Sequence, residues 1–221
     1  MRQRNVKNLE EKLRNHSTYR VEDPRAWKGR WKDVFQNANP LFLEIGCGKG
    51  KFLTEMADRK PEQNFIGVEG QSNVLLRALE KAEGRRSGNL RLFQDYVHDL
   101  NDYFEKGELS GIYLNFSDPW PKARHAKRRL TYRDRLTNYF QVLGRNGFVE
   151  VKTDNEDLFQ FTLEEIAASS LVIAEMTRDL HGADCTLESR LVTTEYEERF
   201  CSVGKNINYV KIKNSCGSDD R

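Results

Sequence analysis

The chain offers nothing that would cross a bilayer and little that would staple a secreted domain. No apolar run in its 221 residues approaches the roughly 18 needed to span hydrocarbon. The opening residues, MRQRNVKNLEEKLRNH, lack the apolar core of a secretory signal. Cys47, Cys185, Cys201 and Cys216 form no CxxC pair, and the four histidines do not fall at metal-ligand spacing around them. These absences predict reduced thiols in a cytoplasmic protein, without membrane association and without metal. Proline is also sparse, at five residues, yet two of the five, Pro119 and Pro121, bracket a single tryptophan.

What is present suits one large domain. Hydrophobic residues make up 38% and charged residues 32% of the chain, a soluble composition at a length that can bury a sizeable core. Net charge is only +2, but it is unevenly spread. Residues 1–32 hold ten Lys/Arg against four acids, and residues 121–135 hold seven against Asp134. Such local fields decide what a cleft attracts. A charge run is most often a solvated face, and the second run departs from that reading because of its neighbours.

Short β-like apolar runs alternate with helical ones, the pattern of an open, mostly parallel sheet covered by helices on both faces. Seven strands are predicted, at 41–46, 64–69, 89–94, 111–116, 147–153, 171–177 and 206–213. The clearest helices are 72–86, with Val74, Leu75, Ala78, Leu79 and Ala82 on one face, and 131–143, with Leu136, Tyr139, Phe140 and Leu143. Each has a helix-start residue and a glycine beyond its end. The division expected is a basic N-terminal arm and lead-in helix at 1–40, the main domain at 41–213, and a polar, disordered tail at 214–221.

The stretch 115–130, NFSDPWPKARHAKRRL, joins a buried-looking strand to an acid, two prolines, an aromatic and dense positive charge. The prolines forbid a continuing central strand and stiffen its exit, which holds Asp118 at the strand's mouth. Lys122, Arg124, Lys127, Arg128 and Arg129, with His125 among them, place fixed positive charge beside it, as a polyanion such as nucleic acid requires.

Upstream, Leu41-Phe42-Leu43-Glu44-Ile45 runs into Gly46-Cys47-Gly48-Lys49-Gly50. Glycines there let backbone approach a ligand and supply positive φ, while free N–H groups at a helix start present donors. The residue after Gly50 is Lys51, so neither the G-x-G-x-x-G dinucleotide fingerprint nor a phosphate loop fits. Glu44 inside the strand would oppose a pyrophosphate but welcome a cation, and Glu69 ends the next strand where ribose hydroxyls are met. An acid-flanked GxGxG loop therefore suits S-adenosylmethionine, which carries a sulfonium and an ammonium and no phosphate. A plain strand-to-helix turn with solvated acids is the alternative.

Taken together, the basic start, GRWKDVF before EIGCGKG, GVEGQ, the 115–130 segment, KTDN at 152–155 and TEYEERF at 194–200 resemble the bacterial tRNA (guanine-N7)-methyltransferases, the TrmB family. The resemblance covers almost the whole chain. It implies a Rossmann-like fold, S-adenosylmethionine as methyl donor and N7 of a guanine in the variable loop of tRNA as acceptor. By position it makes Glu44, Gly46, Gly48 and Glu69 cofactor residues and Asp118 the catalytic residue. Lys122, Asp154, Thr194, Tyr196 and Glu197 become substrate contacts, and Arg124, His125, Lys127, Arg128 and Arg129 an RNA-binding loop. The family's usual Asp-Ala pair after the third strand is Tyr96-Val97 here, with Asp95 one residue early. The adenine is then met by Asp95, or by the Tyr96 N–H with its ring stacked nearby.

Guanine N7 carries a lone pair and no proton, so positioning matters more than proton transfer. A carboxylate accepting from the guanine N1–H or amino edge would stabilise the cation formed, and Asp118 is placed for that. The target base is expected to swing out and stack on Trp120 or Tyr196. Two other functions stay open: an RNA methyltransferase acting on an exocyclic amine, and a non-catalytic tRNA-binding scaffold. Either a monomer or a homodimer is compatible with the sequence.

Overall fold

The seven apolar runs pair into one sheet. In the computed structural model, which describes residues 6–86 and 88–215, the strands are β1 (Leu41–Ile45), β2 (Asn64–Glu69), β3 (Leu90–Gln94), β4 (Leu109–Asn115), β5 (Leu143–Thr153), β6 (Leu171–Thr177) and β7 (Asn208–Asn214). Their order is β3-β2-β1-β4-β5-β7-β6. The first five are parallel, and β7 is antiparallel to both β5 and β6. Strand order reverses between β1 and β4, and the crevice outside the carboxyl ends of those strands is where open α/β sheets bind ligands.

Alternate residues of each strand face opposite helix layers. Leu41, Leu43 and Ile45 pack with α2 (Trp31–Phe35), α5 (Arg133–Val142) and α6 (Glu156–Ala167). Phe42 points the other way, into a second core with α1 (Leu9–Arg14), α3 (Lys51–Arg59) and α4 (Ser72–Arg85). A last helix, α7 (Glu195–Ser202), follows a 3-10 turn at Glu188–Leu191. No helix among the described residues is long and apolar enough to cross a membrane.

Several elements differ from the sequence expectation. β5 starts at Leu143 rather than 147, because α5 ends at Val142 and the chain turns straight into the sheet, where Leu143 pairs with Leu109 ahead of a register shift. Ser72 and Thr131, read as helix starts, make no cap: the cap positions are Gln71 and Tyr132, without side-chain bonds. Thr131 instead accepts a hydrogen bond from buried Thr162 at 2.8 Å.

The region 1–40 is built into the domain where it is described. Leu13 and Trp31 are fully buried, and the Trp31 indole N–H donates to the Tyr103 carbonyl at 2.9 Å while stacking on Phe93 and Phe104. Val21 N–H donates to Leu92 O, and Leu92 N–H to Tyr19 O, so this segment covers the exposed edge of β3. β7 runs on through Asn214. Residues 1–5 of the arm and 216–221 of the predicted tail lie outside the described residues.

Candidate active site

β1 delivers its glycine loop directly into the crevice. Gly46 and Gly48 adopt φ of 79° and 56°, a region in which a Cβ is strained. A Cβ built on either would meet no protein atom within 4 Å. The space above the loop is therefore open for a ligand to lie against bare backbone.

Beside it, Glu44 is 2% exposed and accepts one hydrogen bond, from Asn115 Nδ2 at 2.7 Å. Burial pushes its carboxyl up to about 8, partly offset by that hydrogen bond. Glu44 Oε2, Asn115 Oδ1 and Ser117 Oγ are buried without a hydrogen-bond partner among the described residues. Unpaired buried acceptors of this kind are costly, and a cationic or multiply donating ligand would satisfy them. Across the loop, Glu69 accepts from Gly48 N–H at 3.1 Å and from Gln71 N–H at 2.9 Å, and burial raises its carboxyl pKa as well.

On the third side, Asp95 accepts from the Tyr103 hydroxyl at 2.6 Å, pairs with Arg25 at 3.3 Å and accepts from Tyr96 N–H at 2.7 Å. The Tyr96 amide, one of the two groups expected to meet an adenine, is thus already turned onto Asp95. The Tyr96 ring is 67% exposed and covers Gly70, where a Cβ would stand 2.3 Å from a ring carbon. It lies as an open aromatic face beside Val97.

The exit of β4 is the strained part of the site. Phe116 and Trp120 take φ of 51° and 42°, left-handed conformations that cost a non-glycine residue on the order of 1–3 kcal/mol each. Between them Asp118 is exposed and makes no hydrogen bond or ion pair among the described residues. Phe116 is fixed by stacking on Tyr196 and Phe200 of α7, with centroids 6.5 and 5.9 Å away. Beyond Pro121, Ala123–Arg128 forms a 3-10 turn.

The basic side chains of that turn divide. Lys122, Arg124 and Lys127 are exposed. Arg128 lies over the Trp120 ring at 5.0 Å, and His125 meets the same ring edge-on. Arg129, expected as an RNA contact, is instead committed inside the protein: it donates to Pro119 O at 3.0 Å and Trp120 O at 3.1 Å. Its guanidinium also covers Phe161 at 4.2 Å.

Three expected substrate residues also sit elsewhere. Glu197 is fully buried, closes a capping box with Thr194 at the start of α7, and receives Lys152 Nζ at 3.2 Å and His181 at 2.7 Å. Lys152 is buried too and donates further to the Ser189 and Val192 carbonyls. Glu197 therefore binds α7 to β5 and does not face a substrate. Asp154 pairs with Lys205 at 3.0 Å and, like Lys122, is not part of the cavity wall. Asn155 caps α6 by accepting from Leu158 N–H.

A single cavity of about 990 Å³ brings together Glu44, Gly46, Gly48, Glu69, Asp95, Tyr96, Asp118, Arg128, Thr194 and Tyr196. Glu195, within the 194–197 run expected at the substrate, lines it too, and so do Asn115, Ser117 and Arg199, which were missed in the sequence. The T-x-x-E pattern at 194–197 is a capping-box signature, which could have marked Glu197 as structural. Asn115 had a weaker signal, a polar residue on the neighbouring strand two positions beyond Tyr113, the residue that pairs with Glu44. Among the described residues no cluster of side chains could hold a metal ion.

Comparison with known proteins resolves the family. A family model described as "Putative methyltransferase" matches residues 38–210. The tRNA (guanine-N(7)-)-methyltransferase of Brevibacillus brevis is 46% identical over 98% of this chain and 99% of its own. The chain belongs to the tRNA (guanine-N7)-methyltransferase family. Proteins of the same name from Lachnoclostridium phytofermentans, 46% identical over 94% of this chain and 95% of that one, and Streptococcus thermophilus, 43% identical over 96% and 99%, agree. Among solved structures, a 30S ribosomal A1408 methyltransferase from an uncultured bacterium matches with TM-score 0.54 at 12% identity, over 84% of this chain and 93% of that one. A precorrin-6y C5,15-methyltransferase from Geobacter metallireducens matches with TM-score 0.52 at 12% identity, over 95% and 91%. Both show the shared Rossmann-like methyltransferase fold.

Proposed function

We propose that this chain transfers a methyl group from S-adenosylmethionine to N7 of a guanine in the variable loop of tRNA, with Asp118 as its catalytic residue. The observation that carries the reading is the meeting, in one cavity, of a cation-seeking carboxyl and glycine loop with an exposed acid bordered by a basic turn. Membership of the family supports the substrate, and the open glycine backbone and unpaired acceptors around Glu44 support the cofactor. S-adenosylmethionine, when bound, supplies the electrophilic methyl.

The chain's own residues position and stabilise. Glu44 would hold the donor's cationic end, and the bare backbone at Gly46 and Gly48 would let it approach. Glu69 would meet the ribose hydroxyls. The exposed Tyr96 face beside Gly70 suits the adenine ring. Asp118 would accept from the guanine N1–H or amino edge as positive charge develops on the base. Tyr196, 57% exposed and backed by Phe116 and Phe200, offers a stacking face for an extruded base. Lys122, Arg124 and Lys127 would contact RNA phosphates. Holding the acceptor nitrogen in line at roughly 3 to 3.5 Å would supply much of the acceleration.

The test is incubation with unmodified tRNA and labelled S-adenosylmethionine, followed by nucleoside mapping. N7-methylguanosine is expected at a single variable-loop position. Product on an exocyclic amine would overturn the assignment, and no product would favour a scaffold. Asp118→Ala should lower turnover by about a hundredfold or more with donor affinity unchanged.

A further inference from the structure

We infer that Arg129 is a positioning residue for Asp118 and no part of the RNA contact surface; the inference rests on the catalytic reading of Asp118. Asp118 itself has no protein partner among the described residues, so its placement depends on the backbone that carries it. That backbone is in a sparsely populated conformation at both ends, Phe116 at φ 51° and Trp120 at φ 42°. Such conformations persist only where surrounding contacts over-determine them. On the Phe116 side the contacts are aromatic, from Tyr196 and Phe200. On the Trp120 side Arg128 and His125 meet the ring, while the backbone carbonyls are held by one guanidinium, that of Arg129.

Arg129 Nε donates to Pro119 O at 3.0 Å and Nη2 to Trp120 O at 3.1 Å, with a longer 3.4 Å contact from Nε to Trp120 O. The planar fork fits two adjacent carbonyls in a way an ammonium cannot. Its other face lies 4.2 Å from the Phe161 ring centroid on α6, so the loop is tied to an element of the sheet's helix layer. Arg129 N–H also closes the 3-10 turn on Ala126 O at 3.0 Å. The basic turn and the Asp118 loop are thereby one unit, in which Lys122, Arg124 and Lys127 face outward and Arg129 faces inward.

Arg129→Lys and, as a second variant remote from the cavity, Phe161→Leu test this against Asp118→Ala and the double variant Asp118→Ala/Arg129→Lys. Both single variants should lose kcat about tenfold or more, with KM for tRNA, tRNA affinity and its salt slope unchanged. In the Asp118→Ala background, Arg129→Lys should cost no further turnover, because its effect runs through a carboxylate already removed. A multiplied loss in the double variant, or a salt slope lowered by Arg129→Lys, would overturn the inference while leaving the Asp118 reading intact. Full turnover in Asp118→Ala alone would instead remove the reading on which the inference rests.

Discussion

Glu44→Gln should abolish a proton release that accompanies binding of the methyl donor. In the ligand-free chain, burial raises the Glu44 carboxyl to about 8, with Glu195 and Glu69 adding to the rise and Asn115 and Lys152 opposing it. At pH 7 only about one molecule in ten then carries the ionised form. A cationic ligand against Glu44 favours the carboxylate, so binding near neutral pH releases close to one proton. The affinity for S-adenosylmethionine should accordingly rise about tenfold from pH 6 to pH 7. The rise ends near pH 8, where Glu44 titrates by itself and an α-amino group, with its pKa of about 7.7 to 8.0, begins to lose its own charge. Stability moves the other way in the free protein. The folded pKa lies above the ordinary 4.5, so the folded state holds a proton that the unfolded state has lost. This contribution is complete below about pH 4.5 and declines by about 1.4 kcal/mol per pH unit until it is lost near pH 8. Titration calorimetry in buffers of different ionisation enthalpy reads the proton count directly, and Glu44→Gln supplies the baseline. An affinity that is flat between pH 6 and 7, or a variant that still releases the proton, would refute the reasoning.

Two further outcomes follow from the same geometry. Replacing Lys122, Arg124 and Lys127 together by Ala should weaken tRNA binding and reduce the slope of log affinity against log salt by about 2 to 3; an unchanged slope would make the turn a merely solvated face. Lys152→Met leaves buried Glu197 without its lysine, with only the Thr194 N–H and His181 as partners, and should lower unfolding stability by about 3–5 kcal/mol in urea titrations. Adding Glu197→Gln should recover part of that loss, and a single-variant loss below about 1 kcal/mol would show the pair to be dispensable.

Most of the scaffold was legible because local pattern and global packing agree. LFLEI, NFIGVE and GIYLN are short apolar runs bounded by turn residues, and α4 shows a clean apolar stripe, so each element could be read without knowing its neighbours. Lys152 and Glu197 could not be placed that way. Glu197 reads as a substrate contact from its place in TEYEERF, and charged residues are seldom fully buried unless paired; only the tertiary approach of α7 to β5 buries it against Lys152. Trp31 posed the converse problem, an aromatic in a basic segment whose burial depends on Phe93, Tyr103 and Phe104 far along the chain.

The loop around Asp118 resisted for a third reason. Nothing in the residue types Phe and Trp announces positive φ, a conformation both disfavour. Without that turn the Pro119 and Trp120 carbonyls have no cause to meet Arg129, one of five cations indistinguishable by composition. Asp118 between two strained aromatics and Glu44 buried without a cation both depart from what their residue types prefer, and both line the same cavity. Native chains that obey local rules elsewhere violate them where function requires it. Under the proposed function those departures mark the reacting end of the cavity, and they predict that relieving them will cost turnover before it costs the fold.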